Sequence, residues 1–91
     1  MTTVAVRHRV DDFETWLVGY KEHRSVRDRL GCTGDEVLRD EQDPQEVLVL
    51  THWPSAAAAH QFATDPALPE AMKKAGVISD PRIEFYEETG A

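Results

Sequence analysis

Cysteine and long apolar segments are nearly absent from this sequence. Its single cysteine, Cys32, excludes an intramolecular disulfide framework and is typical of a reducing compartment. No apolar run approaches the roughly 18 residues of a membrane span. No apolar segment follows a basic patch at the N-terminus, as a signal peptide requires. We therefore expect a cytoplasmic protein that does not bind membranes.

Positive charge is also scarce. The chain has 10 Lys and Arg residues against 17 Asp and Glu residues, a formal net charge of −7. Nucleic acids and anionic membranes bind clustered positive charge, so neither is an expected partner. A glycine-rich phosphate loop, a nucleotide-binding fingerprint and a Ser-His-Asp arrangement are all absent. The length of 91 residues predicts one domain, residues 1–91, with a modest core that oligomerisation would stabilise.

Hydrophobic periodicity in the first half of the chain predicts a strand and a long helix. Residues 3–10 alternate between apolar and polar positions, as in a strand with one buried face. Asp11 precedes an amphipathic segment and has Glu14 three residues later, which indicates a helix cap. The apolar positions that follow predict one helix of about five turns that ends before Gly31.

The second half predicts a hairpin, a helical region in two pieces and a final strand. The stretches DEVLRDEQ and EVLVLTHW are two strands separated by a turn around Pro44. Ser55 and Asp65 are expected to cap the two helical pieces, and RIEFYEE is expected to be the last strand. The resulting order, β-α-β-β-α-β, is that of the ferredoxin-like α+β fold, whose helices cover one face of an antiparallel sheet.

A second copy of the chain is expected to cover the other face of the sheet. The strand that contains VLVLT is apolar on both faces, and large exposed apolar patches are rare on soluble monomers. Arg7 and Arg9 lie on that face of the first strand, where they would meet Glu84 or Glu88 across or along the interface. We predict a homodimer packed sheet against sheet; the alternative is a monomer with an exposed apolar strand.

A histidine occupies the apolar face of the first strand. His8 is in register with Val4, Val6 and Val10, on the side that should face the helices. Two interpretations stay open. His8 is either the catalytic, proton-handling residue of a pocket, or a core histidine that is bonded to a backbone carbonyl or to Tyr20.

The long predicted helix turns aromatic and basic side chains towards the same layer. Trp16, Tyr20, His23 and Arg27 lie along one line of that helix. We predict that these four residues bind a substrate beside His8. The alternative for the aromatic pair is ordinary core packing, and the alternative for the basic pair is the helix surface.

The sequence does not decide which face of the third strand meets the helices. If Leu48 and Leu50 face the helices, His52 joins the predicted substrate-binding residues, and we include it among them. If the odd-numbered positions face the helices, Thr51 and Trp53 lie inward instead. The sequence is apolar enough on both faces to allow either arrangement.

The four histidines give little indication of a metal site. His8, His23 and His52 would form a three-histidine zinc site if they converged, but no pair has the compact spacing of a helical metal motif. His60 lies about 200° around a helix from Phe62, so it is expected to face solvent. We therefore predict that no metal cofactor is needed.

The order of elements and three stretches of the chain resemble a known superfamily. The stretches are HRVDDFETWLVGYKEHR, VLRDEQDPQEVLVLTHW and FATDPALPEAMKKAGV, which together span most of the chain. They resemble the antibiotic biosynthesis monooxygenase-like proteins and polyketide cyclases, which are dimeric α+β barrels. The resemblance implies a homodimer and a hydrophobic pocket between the helices and the sheet of each subunit.

The resemblance also bears on cofactors. The superfamily includes cofactor-independent quinone-forming oxygenases, cyclases and haem-degrading enzymes. Some haem-degrading members use an Asn on strand 1, whereas this chain has His8 there and no asparagine anywhere. The quinone-forming pattern also includes Asn, and Trp16 and Tyr20 supply only its aromatic residue types. We expect no haem and no other cofactor.

Three hypotheses for the function follow. The first is a cofactor-free enzyme in which His8 takes a proton from a flat phenol or β-polyketone, leading to cyclisation or oxygenation. The second is a non-catalytic ligand-binding or structural dimer, and the third is a subunit that docks onto a partner enzyme. A cavity of about 300 Å³ or more favours the first hypothesis. A sealed core with His8 bonded to protein favours the second.

Overall fold

The computed structural model describes residues 1–91. It has four strands and four helices in the order β1 (Thr2–Arg9), α1 (Phe13–Glu22), α2 (Arg24–Leu30), β2 (Gly34–Arg39), β3 (Glu46–Trp53), α3 (Ala56–Ala63), α4 (Ala67–Ala75) and β4 (Arg82–Glu87). The strands form one antiparallel sheet in the order β2-β3-β1-β4. This confirms the predicted ferredoxin-like α+β fold.

The long helix predicted before Gly31 is wrong as a single element. It breaks at His23, whose ψ of 1° leaves helical geometry, and α1 and α2 lie on either side. The N-cap is Asp12 rather than Asp11, and its carboxylate accepts hydrogen bonds from the backbone N–H and the hydroxyl of Thr15. Apolar periodicity continues through the break, so the sequence pattern alone does not reveal it.

The helices and strands in the second half of the chain begin and end close to the predicted positions. Ser55 caps α3 by accepting a hydrogen bond from Ala58 N–H at 3.1 Å. Asp65 accepts from Ala67 N–H at 2.9 Å just before α4, but the N-cap is Pro66 rather than Asp65, and the helix begins at Ala67. Strand β2 ends at Arg39, earlier than predicted, because the Asp40 carboxylate accepts from the backbone N–H groups of the next turn.

The register between β1 and β3 decides which face of β3 meets the helices. In β3 the buried positions are the odd-numbered ones: Val47, Val49, Thr51 and Trp53. Trp53 is fully buried and stacks on Phe62 of α3 with ring centroids 4.8 Å apart. His52 therefore lies on the opposite, helix-free face.

Charged side chains on the helix-free face already have partners within the chain. Arg9 contacts Asp43 at 2.6 Å, and Arg7 lies 3.9 Å from Glu46. The acidic residues expected to meet these arginines are engaged elsewhere, since Glu84 contacts Arg82 and Glu88 contacts His52, each at 3.2 Å. Within one chain, Arg7 and Arg9 therefore do not pair with Glu84 or Glu88, and their pairing with a second copy stays a prediction. None of the helices is both long and apolar enough to cross a membrane.

Candidate active site

A cavity of about 60 Å³ lies between the sheet and the helices. Its wall includes most of the side chains predicted to form a site: His8, Trp16, Tyr20, His23 and Arg27. Strands β1 and β3 form its floor, and apolar residues of α4 cover it. The volume is well below the roughly 300 Å³ at the lower end of ordinary ligand pockets.

His8 is the titratable group of the cavity floor. It is 3% exposed, and its Nδ1 is completely buried without a hydrogen-bond partner. Burial lowers the pKa of the imidazole below its ordinary value of 6.5, and a contact of the ring with the backbone of His8 itself, followed by the charge of Glu46, only partly opposes this. His8 is therefore a neutral base at pH 7. His8 makes no hydrogen bond to Tyr20, and its Nδ1 makes none to a backbone carbonyl of the core.

Aromatic rings of α1 form one wall beside His8. The His8 ring meets the Trp16 ring edge-on with centroids 5.6 Å apart. Trp16 stacks on Tyr20 at 5.1 Å and lies 5.8 Å from Phe13. The spacing of residues 16 and 20 places both rings on one helix face, as the sequence predicts.

Tyr20 is fixed by a carboxylate that the sequence analysis did not identify. Its hydroxyl donates to Asp35 Oδ2 of β2 at 2.5 Å. Burial, with this hydrogen bond, raises the pKa of the Tyr20 phenol well above its ordinary range. Tyr20 therefore stays protonated and acts as a wall rather than as an acid. Its partner is distant in sequence, so only the fold could have revealed it.

Arg27 is a buried cation at the α2 end of the cavity. It is 4% exposed, and its guanidinium lies 3.8 Å from the centroid of the Tyr20 ring. Its Nη2 donates to the Tyr20 carbonyl at 3.0 Å, which satisfies an end carbonyl that the helix break would leave unpaired. Arg27 therefore lies against the aromatic wall across the break at His23.

His23 lines the cavity at the junction between α1 and α2. Burial, followed by the positive charge of Arg27, lowers the pKa of its imidazole, and Asp65 opposes this shift. Both effects favour the neutral form of the His23 imidazole next to the positive charge of Arg27.

The remaining two histidines lie outside the cavity. His52, predicted among the substrate-binding residues, is on the helix-free face, where its Nε2 lies 2.7 Å from Glu36. Its inclusion in the pocket was wrong because the odd-numbered side of β3 faces the helices. His60 is exposed, as expected, and stacks on Phe85 at 3.9 Å. No three His, Cys, Asp or Glu side chains are grouped to hold a metal ion.

The cover of the cavity comes from α4 and α3. The sequence indicates the apolar stripe of α4, and its members line the cavity: Leu68, Ala71, Met72 and Ala75. Sequence reasoning missed Phe62 and could not choose Thr51 for the wall. The helical period of α4 is a local signal, whereas the placement of Phe62 and Thr51 depends on packing between distant elements.

Several solved structures share this fold. A Bordetella bronchiseptica protein classed with the antibiotic biosynthesis monooxygenases matches with a TM-score of 0.79 and 16% identity, over 97% of this chain and 96% of that one. A Deinococcus radiodurans protein of the same class has a TM-score of 0.72 and 22% identity, over 100% and 95% of the two chains. SnoaB from Streptomyces nogalater, a cofactor-independent oxygenase, has a TM-score of 0.75 and 16% identity, over 96% and 91%.

Sequence comparison gives a more specific result than these distant structures. No curated protein matches the chain. The family model described as antibiotic biosynthesis monooxygenase matches residues 3–74. That segment contains the floor of the cavity, its aromatic wall and most of its cover. Because the match extends over most of the chain, the protein belongs to the antibiotic biosynthesis monooxygenase family.

Proposed function

We propose that this protein is a cofactor-independent monooxygenase in which His8 removes a proton from a flat, hydrophobic phenol or polyketide-like molecule. The resulting carbanion reacts with molecular oxygen. A ring methylene and one O₂ give a carbonyl and one water, so the substrate supplies all the electrons. Family membership, and the naming of SnoaB as a cofactor-independent oxygenase, support oxygenation over cyclisation.

The observation that carries this proposal is the state of His8. A fully buried ring nitrogen without a hydrogen bond costs about 1–3 kcal/mol, and such groups in a native structure call for an explanation. A neutral imidazole beside a cavity is able to accept a proton, and its lowered pKa keeps it neutral at pH 7. We infer that substrate binds against the His8 ring, which lines the cavity.

The aromatic wall supports a flat substrate. Trp16 and Tyr20 are stacked and fixed, the first against His8 and the second by Asp35. A planar ring packed along these faces gains contact area and offset stacking. Its acidic C–H or O–H group would then lie next to the imidazole.

The cavity must widen before such a ring binds. An apolar cavity of about 150 Å³ holds a benzene molecule, whereas this one measures about 60 Å³. Helix α4 is the element that would move, because Leu68 is its only buried residue and Met72 is a flexible part of the cover. We infer that substrate enters by displacing α4 from the sheet.

The test compares His8→Ala with His60→Ala. Oxygen uptake and product mass are measured with a panel of dihydroxynaphthalenes and aromatic β-diketones. His8→Ala should lower turnover by about 10²–10⁴-fold, the usual contribution of a general base. His60→Ala removes an exposed imidazole that lies outside the cavity, so its turnover should equal that of the unmutated protein.

Equal rates for the two variants would reject His8 as the base. Product that has lost water without taking up oxygen would assign cyclisation instead. The cavity of about 60 Å³ is smaller than the roughly 300 Å³ that favours an enzyme, which supports one other candidate, the non-catalytic ligand-binding or structural dimer. Its ligand-binding form predicts ligand-dependent shifts of the His8 ring resonances in NMR spectra, with neither oxygen uptake nor product.

A further inference from the structure

Arg27 is a buried charge without a counter-ion. It is 4% exposed, and no Asp or Glu forms an ion pair with it. Removing a guanidinium from water is costly unless an anion and hydrogen bonds replace the lost hydration. A neutral apolar side chain such as Met would fill a core position at lower cost, so the charge itself needs an explanation.

Nearby carboxylates are already committed to other partners. Asp28 lies 3.9 Å from Arg24, and Asp35 accepts the hydroxyl of Tyr20. Arg27 makes only one hydrogen bond, from Nη2 to the Tyr20 carbonyl, although a guanidinium has five N–H donors. Its unused donors are therefore available to a ligand.

The position of Arg27 relative to the aromatic wall determines where its unused N–H donors point. The guanidinium lies against the Tyr20 ring, Tyr20 stacks on Trp16, and Trp16 meets His8 edge-on. A guanidinium that covers a ring face keeps its N–H groups in its own plane, so they point past the ring edge. The wall thus has a cation at one end and a neutral base at the other.

We propose that the substrate carries a carboxylate, which Arg27 binds at the end of the cavity remote from His8. This inference rests on the proposed function and narrows its substrate class to planar aromatic or polyketide-like acids. The carboxylate would replace the missing counter-ion, and the bidentate geometry of the pair would set the orientation of the ring. The reacting carbon at the far end of the molecule would then lie beside His8.

The test uses a matched pair of ligands, 1-hydroxy-2-naphthoate and its methyl ester. Binding is followed by NMR through the His8 ring resonances, so that only ligand in the cavity is counted. The acid should bind about 10–100-fold more tightly than the ester, the range expected for hydrogen bonds to a charged group. Arg27→Met keeps most of the length and bulk of the side chain. In this variant the acid and the ester should bind with about equal affinity.

Arg24→Met is the matched control. Arg24 lies on the same helix, but its side chain is 75% exposed and does not line the main cavity. Arg24→Met loses one positive charge, as Arg27→Met does. If Arg27 itself binds the carboxylate, Arg24→Met should still bind the acid more tightly than the ester. Thermal unfolding of both variants checks that the fold is retained.

Several results would overturn the inference. They are equal affinity of the unmutated protein for acid and ester, a preference that survives Arg27→Met, and binding of neither compound at millimolar concentration. Arg27 also borders a surface pocket of about 70 Å³ beside Asp28 and Asp35, so acid binding that leaves His8 unshifted would also count against it. Turnover of neutral esters that depends on His8 would overturn this inference alone and leave the proposed function standing.

Discussion

His8 stands among valines at a position where an apolar side chain would be more stable. Its β1 neighbours Val4 and Val6 are buried on the same face, and its Nδ1 has no hydrogen-bond partner. The residue therefore combines a cost in stability with a neutral base next to a cavity. Active sites commonly show this conflict between stability and function.

Substituting His8 by leucine should stabilise the protein. The change removes the unpaired buried nitrogen, so the free energy of unfolding at pH 7 should rise by about 1–3 kcal/mol. It should also reduce the loss of stability in acid. Because the folded pKa of His8 is lowered, the unfolded chain binds more protons, and stability falls as the pH decreases from about 6.5 towards the folded pKa.

Urea unfolding of the unmutated protein and of His8→Leu between pH 8 and about pH 5 measures both effects. His60→Leu is the control, since His60 is exposed and outside the cavity. Identical pH dependence in the unmutated protein and His8→Leu would show that His8 does not titrate as a buried group.

At the scale of elements, the approach of α1 to α4 limits the size of the cavity. A Cβ atom built on Gly19 would lie 2.9 Å from Ala75 Cβ, closer than real side chains pack. The glycine thus allows the two helices to touch. Both residues line the cavity, so their contact also sets how near its cover lies to the aromatic wall.

Gly19→Ala should push α4 away from α1. Alanine is the better helix former by about 1 kcal/mol, but overpacking a close contact typically costs about 1–3 kcal/mol. We therefore expect a lower melting temperature together with tighter binding of planar ligands, because the cavity opens. Calorimetry and ligand titration measure the two effects.

The double variant Gly19→Ala with Ala75→Gly tests this explanation. It restores the space between the helices, so the two substitutions should be less destabilising together than their separate effects predict. Additive effects would mean that the helices do not press on each other at this point.

At the scale of the whole molecule, the helix-free face of the sheet is the surface most suited to a second copy. Leu48 and Leu50 are half-buried there, whereas Leu38 and Tyr86 are 47% and 52% exposed. The charges on this face are paired within the chain, which lowers the cost of covering it. We propose a homodimer packed through this face.

Sedimentation at micromolar concentration should show a species of twice the 10.3 kDa chain mass. Leu50→Glu places a charge in the centre of the proposed interface and should yield the monomer. Val18→Glu adds the same charge on α1, where the side chain is already 57% exposed, and should leave the dimer intact. A 10.3 kDa species alone in the unmutated protein would reject the dimer.

The sequence by itself determined the elements whose signals are local. Alternation with period two placed Val4, Val6 and His8 on one side of β1, and helical spacing placed Trp16 and Tyr20 together. These two patterns were enough to predict that His8 meets an aromatic wall. They hold without knowledge of the fold because each depends only on backbone geometry within one element.

Only the tertiary structure decided what depends on contacts between elements. Strand β3 is apolar on both faces, so its pairing with β1 was needed to turn Thr51 inward and His52 outward. The break at His23, the Tyr20–Asp35 hydrogen bond and the small cavity volume likewise have no local signal. Each arises because side chains far apart in sequence compete for the same space and the same hydrogen-bond partners, and only the packed fold settles that competition.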